Sequence, residues 1–262
     1  MIDSWKMQNR EFWKEQALNY KSDVKTVNFD PLEEELELHY LQQVVKDGEN
    51  VLDIGCGNGR TTIALALKNR KSVFYGVDFT EEMIAVAEEQ KKLLNVTNIN
   101  FYRTDATSKD IKKMFGFKFD RVISKRLLIN IKGENKYNAI KNVHYLLKDR
   151  GFYIMIECFI EPLVKINEIR KALKLEEIKV KPFNEYLTLN FLDKIKESFE
   201  IKKKVDFESL YYFTSRIYNA YLFKENLDYL APINKLAVIV EKMNIKTTRG
   251  YSPEILFVLR KR

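Results

Sequence analysis

Three glycines spaced two apart, Gly55, Gly57 and Gly59, interrupt the run Val51-Leu52-Asp53-Ile54-Gly55-Cys56-Gly57-Asn58-Gly59-Arg60. They are three of only nine glycines in 262 residues, so their clustering has a local cause. Glycine is used where φ must be positive, or where a ligand must touch backbone with no Cβ between them. Placed between a strand and a helix, such a turn leaves backbone N–H groups free to meet something small and polar. Two carboxylates, Asp78 and Asp105, stand at comparable places, each at or just beyond the end of an apolar run. A carboxylate held rigidly at a strand tip can accept both hydroxyls of a ribose, which is the role read for Asp78. Asp105 can accept from an exocyclic amine such as that of adenine. A dinucleotide fingerprint needs glycine at the first, third and sixth positions of the loop. Here the sixth is Arg60, so that pattern fails.

The elements that hold these residues follow from the periodicities. Strands are expected at 51–54, 72–77, 99–103 and 119–124, with helices at 61–67, 81–94 and 137–147 between or after them. Thr80 is the expected cap of the second helix, and Gly151 the expected C-terminal stop of the third. Residues 152–158 form the most continuous apolar strand, expected near the sheet centre and buried on both faces. Regular strand–helix alternation predicts a parallel, doubly wound α/β sheet, which binds ligands at the carboxyl ends of its strands. Before it, Trp5, Phe12, Trp13, Ala17 and Tyr20 recur at near-helical spacing, and a second helix is expected from Pro31 to about Lys46, capped by Asp30. After residue 161 the pattern changes. Helices at 163–173 and 186–198, a strand at 199–207, a tyrosine-rich helical segment at 209–245 and a last strand at 254–260 are expected. The chain thus divides into an N-terminal helical cap (1–47), a Rossmann-like unit (48–207 with 249–262) and a helical cap insertion (208–248).

Asp53-Ile54-Gly55-Cys56-Gly57-Asn58-Gly59, then Gly76-Val77-Asp78, then Thr104-Asp105-Ala106 resemble the S-adenosylmethionine-binding motifs of class I methyltransferases. The resemblance covers roughly residues 45–160. It implies a Rossmann-like, seven-stranded sheet of order 3-2-1-4-5-7-6 with the last strand antiparallel, and S-adenosylmethionine as cofactor, with S-adenosylhomocysteine as product. By that resemblance Gly55, Gly57 and Gly59 admit the methionine part and the ribose, with Cys56 and Phe79 on the same surface. Asp53 supports the loop and faces the ligand's ammonium, Asp78 holds the ribose, and Asp105 with Ala106 holds the adenine. Ser124 sits beneath the methyl donor.

The second half bears on the acceptor. Lys125 to Asn130, Glu157, Asn167, Arg170, 183–187, 215–219 and 251–253 together resemble bacterial methyltransferases from surface-polysaccharide gene clusters, which modify sugars of lipopolysaccharide and capsule. The chain departs from that group at Phe183, where the group often carries histidine before Asn184. Tyrosine rings stack on sugar faces, while Asn130, Asn184 and Tyr186 can bond hydroxyls. Arg126, Arg170 and Arg216 are expected to clamp an anionic acceptor. A hydroxyl acceptor needs a base. Glu157, ending a strand beside the pocket, is the expected one, because His39 and His144 fall on helices away from the strand ends. The expected reaction is methylation of a sugar hydroxyl, with an amine or phosphate derivative, or RNA, as alternative acceptors, and a catalytically silent cofactor sensor as a third reading.

Composition narrows this. Apolar residues make up 45% and charged residues 31%, an ordinary globular balance. The net charge of +8 invites nucleic acid, yet the lysines are scattered and no appended RNA-binding segment is visible, so no nucleic-acid partner is expected. Cys56 and Cys158 have neither a zinc nor a disulfide spacing, and no metal is expected. Without a charged, apolar leader or a spanning stretch, the expected compartment is the cytosol, with no membrane insertion.

Overall fold

Strand β1 (Asn50–Ile54) alternates its burial between two layers, which is what a strand covered on both faces requires. Val51 packs into one core with Leu36, Leu41, Ala66 and Phe74, while Leu52 and Ile54 pack into another with Val122, Ile140 and Val143. These positions come from a computed structural model of the chain that describes residues 4–206, 209–223, 228–245 and 248–262. The remaining strands are β2 (Val73–Asp78), β3 (Ile99–Arg103), β4 (Phe119–Lys125), β5 (Leu147–Cys158), β6 (Phe199–Val205) and β7 (Glu254–Lys261). They form a seven-stranded sheet of order β3-β2-β1-β4-β5-β7-β6. All pairings up to β5 are parallel, and β7 runs antiparallel to both β5 and β6. The order and the antiparallel strand are those expected. The strand order reverses between β1 and β4, so the loops leaving those two strands diverge and open a crevice.

Helices α1 (Ser4–Tyr20) and α2 (Pro31–Val44) precede the sheet, and α3 (Arg60–Lys68), α4 (Glu81–Leu93), α5 (Ile111–Met114) and α6 (Asn135–Leu146) connect its first strands. Asp30 caps α2 as expected, its Oδ1 accepting from Leu32 N and Glu33 N at 3.2 Å each. Thr80 holds the N-cap position of α4 but its hydroxyl makes no capping bond. Asp78 Oδ1 takes Thr80 N instead, at 2.9 Å.

Two expectations are revised. Gly151 does not end a helix: α6 passes directly into β5, and Gly151 lies within the strand. There a Cβ would come 2.9 Å from the Lys148 carbonyl oxygen, close to the register shift opposite Phe119 and Arg121. The glycine answers a tight backbone approach rather than a left-handed turn. The helix expected over 186–198 is only α8 (Asn190–Ile195), because Leu187 is bonded to Cys158 as a short parallel bridge to the end of the sheet. The expected strand 199–207 is seen as β6, its last residue and the 207–208 boundary lying outside the described residues.

After α7 (Ile160–Ala172) and β6 comes a helix of three parts, α9 (Ser209–Phe213), a π-helical turn (Thr214–Asn219) and α10 (Ala220–Leu222), followed by α11 (Pro232–Lys242). Residues 224–227 of the expected cap lie outside the described residues. Among the described residues no helix is long and apolar enough to cross a membrane.

Candidate functional site

At the crevice the β1–α3 loop is built from left-handed backbone. Gly55, Gly57 and Gly59 have φ of +80°, +54° and +77°, where any side chain is strained. Packing forbids a Cβ as well: at Gly55 it would stand 2.8 Å from Leu127 Cδ1, and at Gly59 2.8 Å from Ala87 and Phe101. The loop is locked to β2. Gly55 N and Cys56 N both donate to Val77 O, and Gly57 N donates to Asp78 Oδ2 at 3.0 Å. Asp78 therefore stands against the loop with its carboxyl pushed up by burial, which those N–H donors oppose. Its oxygens keep lone pairs for further donors. Asp53 supports the same loop from below, Oδ2 accepting from Thr62 Oγ1 at 2.6 Å, and burial raises its carboxyl to about 6.

These residues open onto a cavity of about 460 Å³, within the usual range for small-molecule sites. Of the expected site residues, Gly55, Cys56, Gly57, Asp78 and Phe79 line it from the loop side, and Arg126, Asn130, Asn184, Tyr186 and Arg216 from the other. Asp53, Gly59, Asp105, Ala106, Ser124, Glu157 and Arg170 do not line it.

Four of these side chains have partners elsewhere in the structure. Asp105 is tied to α1: Lys6 Nζ donates to its Oδ2 at 2.8 Å, while Thr107 N and Oγ1 donate to its Oδ1 at 2.7 Å each. Burial would raise its carboxyl, but these bonds hold it below the usual range. Ser124 is turned into the core, where its hydroxyl meets Tyr153 OH at 2.7 Å. Arg170 is buried and donates to the carbonyls of Glu176 and Arg216, so it braces the π turn. Glu157, the expected base, is fully buried. Its Oε1 accepts from Leu127 N and Leu128 N at 3.0 and 2.9 Å, and its Oε2 from Ile129 N at 3.3 Å. It anchors the β4–α6 loop. Burial pushes this carboxyl up to about 7, against the pull of the three N–H groups.

The arginines that do line the cavity already have partners. Arg126, held at a φ of +52°, reaches Glu37 and lies 3.5 Å from Glu254, while Lys125 bonds Glu37 at 2.8 Å. Arg216 pairs with Asp30 at 2.9 Å and lies 4.9 and 4.8 Å from the rings of Tyr212 and Tyr229. Asn184 Nδ2 donates to Asn130 Oδ1 at 2.9 Å, joining two expected acceptor residues. Sequence reasoning did not find Glu33, Cys158, Lys181 and Glu254, which also line the cavity. An acid in a first helical turn, such as Glu33, reads as a partner of the helix dipole, so it carried no signal of its own. Among the described residues no group of three His, Cys, Asp or Glu could hold a metal.

A doubly wound sheet with its cavity at the reversal point, edged by a glycine loop and a strand-tip carboxylate, defines a Rossmann-like nucleotide-cofactor fold. Residues 45–209 match the family described as "Methyltransferase domain", and the chain belongs to that family. It is 29% identical to (S)-coclaurine N-methyltransferase of Papaver somniferum over 52% of this chain and 37% of that protein. It is 32% identical to a ribosomal protein L11 methyltransferase of Caldanaerobacter subterraneus subsp. tengcongensis over 45% of this chain and 34% of that protein. The chain therefore spans about a third of the length of these curated relatives. Magnesium protoporphyrin IX methyltransferase of Synechocystis PCC 6803, solved with bound S-adenosylhomocysteine, shares the fold at TM-score 0.59 and 16% identity, covering 98% of this chain and 100% of that one.

Proposed function

We propose that this chain transfers the methyl group of S-adenosylmethionine to a small-molecule acceptor, best read as a sugar hydroxyl. The observation that carries the cofactor is the junction of loop and strand tip: Asp78, bonded to Gly57 N at 3.0 Å, faces the cavity beside Gly55, Cys56 and Phe79. A loop whose backbone is bare of Cβ atoms, next to a buried carboxylate with lone pairs to spare, fits a ribose and an amino-acid chain. The sugar reading rests on the lining opposite, where the Asn130–Asn184 amide pair stands with Tyr186 and Tyr212. The proteins named above act, by their names, on (S)-coclaurine, ribosomal protein L11 and magnesium protoporphyrin IX, so the acceptor preference rests on that lining alone.

When bound, the sulfonium supplies an already activated methyl group. The chain's own work is orientation. Gly55, Gly57 and Asp78 fix the donor end, and Asn130, Asn184 and Tyr186 fix the acceptor in line with it. Such alignment is worth up to about 7–11 kcal/mol of barrier. The caps at 1–47 and 208–248 are read as excluding water from the cavity, and Trp13, Tyr212 and Tyr229 reach it from them.

S-adenosylhomocysteine at a hundredfold excess over its dissociation constant should stabilise the protein by about 2.7 kcal/mol, or roughly 5–10 °C in Tm. Asp78→Ala should abolish that shift. An unchanged melting curve for the wild type would sink the cofactor assignment. Radiolabelled methyl transfer should appear with nucleotide-activated sugars and not with RNA; the reverse result overturns the small-molecule reading.

A further inference from the structure

We propose that Glu33 is the residue that takes the proton from the methyl acceptor, a reading that rests on the methyl-transfer function above. Among the described residues four carboxylates line the cavity: Asp30, Glu33, Asp78 and Glu254. Three are committed elsewhere. Asp30 is fixed by Arg216 at 2.9 Å and Tyr211 OH at 2.6 Å. Asp78 is held by Gly57 N and Thr80 N at the donor end. Glu254 is fully buried against Arg126 and the Glu37 carboxyl. Glu33 is half-buried at the cavity wall and accepts one bond, from Asn28 Nδ2 to Oε2 at 3.0 Å. Among the described residues its Oε1 accepts none, and no cation pairs with it.

The neighbouring charges give this free oxygen a chemical meaning. The connected group at the acceptor side holds Asp30, Glu33, Glu37 and Glu254 against Lys125, Arg126 and Arg216. Lys25, Arg60 and Lys179 also line the cavity, outside this group. Lys181, at the exposed edge of the cavity with its ammonium over the rings of Phe12, Phe29 and Phe183, forms no ion pair with the group among the described residues. Glu33 is faced by Asp30 at the N-cap of α2 and Glu37 within it, Arg216 from the π turn, Tyr211 and Tyr212 from α9 and Arg126 from the loop after β4. Cys158, Tyr186 and Glu254 face it from the sheet side. Burial, then the neighbouring Asp30, raises its carboxyl, while Arg216 and Arg126 draw it down. Burial and the adjacent Asp30 favour the neutral form of this carboxyl, and a cation entering the cavity favours the ionised form. The sulfonium of the donor is such a cation, and S-adenosylhomocysteine lacks it.

In the step itself the acceptor lone pair forms the new bond to the methyl carbon, and the carbon–sulfur bond breaks with its electrons going to sulfur. The acceptor's O–H or N–H proton passes to the Glu33 carboxylate, now ionised beside the cationic donor. The product side is uncharged at sulfur, so the proton rests on Glu33 with no opposing charge.

Proton linkage of binding tests this with S-adenosylmethionine and S-adenosylhomocysteine alone. Titration calorimetry between pH 5.5 and 7.5, in two buffers of different ionisation heat, gives protons released per ligand bound. Wild type should release more on binding S-adenosylmethionine than S-adenosylhomocysteine, by up to about one proton at the most responsive pH. In Glu33→Gln that difference should vanish, while S-adenosylhomocysteine affinity stays within about threefold. Equal release by the two ligands in wild type overturns the proposal. So does a difference that survives Glu33→Gln and disappears in Glu254→Gln, which assigns the proton to Glu254. If neither ligand binds wild type, the cofactor reading itself fails and the proposal falls with it, an outcome distinct from binding without linkage.

Discussion

Glu157→Gln should destabilise the fold and weaken the cofactor loop without removing a base. Oε1 accepts from Leu127 N and Leu128 N, and Oε2 from Ile129 N. A glutamine oxygen can keep the first two, but its amide then points at Ile129 N, a second donor. One buried N–H loses its acceptor, costing roughly 1–3 kcal/mol. The effect travels a short way, since Leu127 is the side chain that a Cβ on Gly55 would strike at 2.8 Å. Loosening that contact should weaken S-adenosylhomocysteine by up to about tenfold, or about 1.4 kcal/mol. The pH dependence is the sharper readout. Burial lifts Glu157 from 4.5 to about 7, so the folded chain binds this proton more tightly than the unfolded chain. Its contribution is complete below about pH 4.5 and is lost as pH rises through about 7, roughly 3 kcal/mol in all. Asp53, raised from 3.8 to about 6, slopes the same way in both proteins and cancels in the comparison. Urea unfolding followed by circular dichroism from pH 5 to 8 should give wild type a falling stability and Glu157→Gln a flatter one. Parallel curves would refute the anchoring argument. A glutamine variant of wild-type stability and wild-type cofactor affinity that has lost turnover would restore Glu157 as the base.

Other substitutions probe the remaining contacts. Gly55→Ala, at φ +80° and 2.8 Å from Leu127, should cost at least about 1–2 kcal/mol of stability and weaken S-adenosylhomocysteine, measured by urea unfolding and calorimetry; wild-type values for both would show that the loop does not need its bare backbone. Lys6→Ala frees the Asp105 carboxyl from a partly exposed ion pair worth at most about 1 kcal/mol, so S-adenosylhomocysteine should tighten by no more than about fivefold at low salt. Unchanged affinity there would leave Asp105 without a part in adenine recognition. Arg216→Met strands the buried Asp30 charge and should cost roughly 3–5 kcal/mol by chemical unfolding, most of it recovered when Asp30→Asn is added. Failure to recover would return Arg216 to the role of an acceptor clamp.

The sheet and the glycine loop were legible because their causes are local. Left-handed φ at Gly55, Gly57 and Gly59 demands glycine by type, and the two-sided burial of β1 and β5 demands apolar runs. Asp78 could be placed because a strand tip next to a fixed loop leaves it one direction to face. Asp105 obeyed the same rule of position, yet it is held by Lys6, 99 residues earlier in the chain, and no pattern around Asp105 announces that lysine. Gly151 misled for the opposite reason. Its neighbours look like a helix end, while the demand for glycine comes from the Lys148 carbonyl within a bulged strand.

The acceptor side resisted reading because its chemistry is a balance among charges that meet only after folding. Arg126 and Arg216 look like free clamps when seen along the chain, and Glu37, Asp30 and Glu254 look like ordinary helix and strand acids. Folding brings residues 89, 128 and 186 positions apart into contact and uses both arginines to neutralise carboxylates. An anion would have to displace those carboxylates to engage either guanidinium, and in a buried setting the stranded acid makes that exchange costly. A sulfonium donor would instead bring positive charge towards Glu33, whose carboxyl is raised by burial and by Asp30. With both arginines committed to carboxylates, the proposed proton acceptor is Glu33, the cavity carboxylate whose second oxygen accepts no hydrogen bond among the described residues.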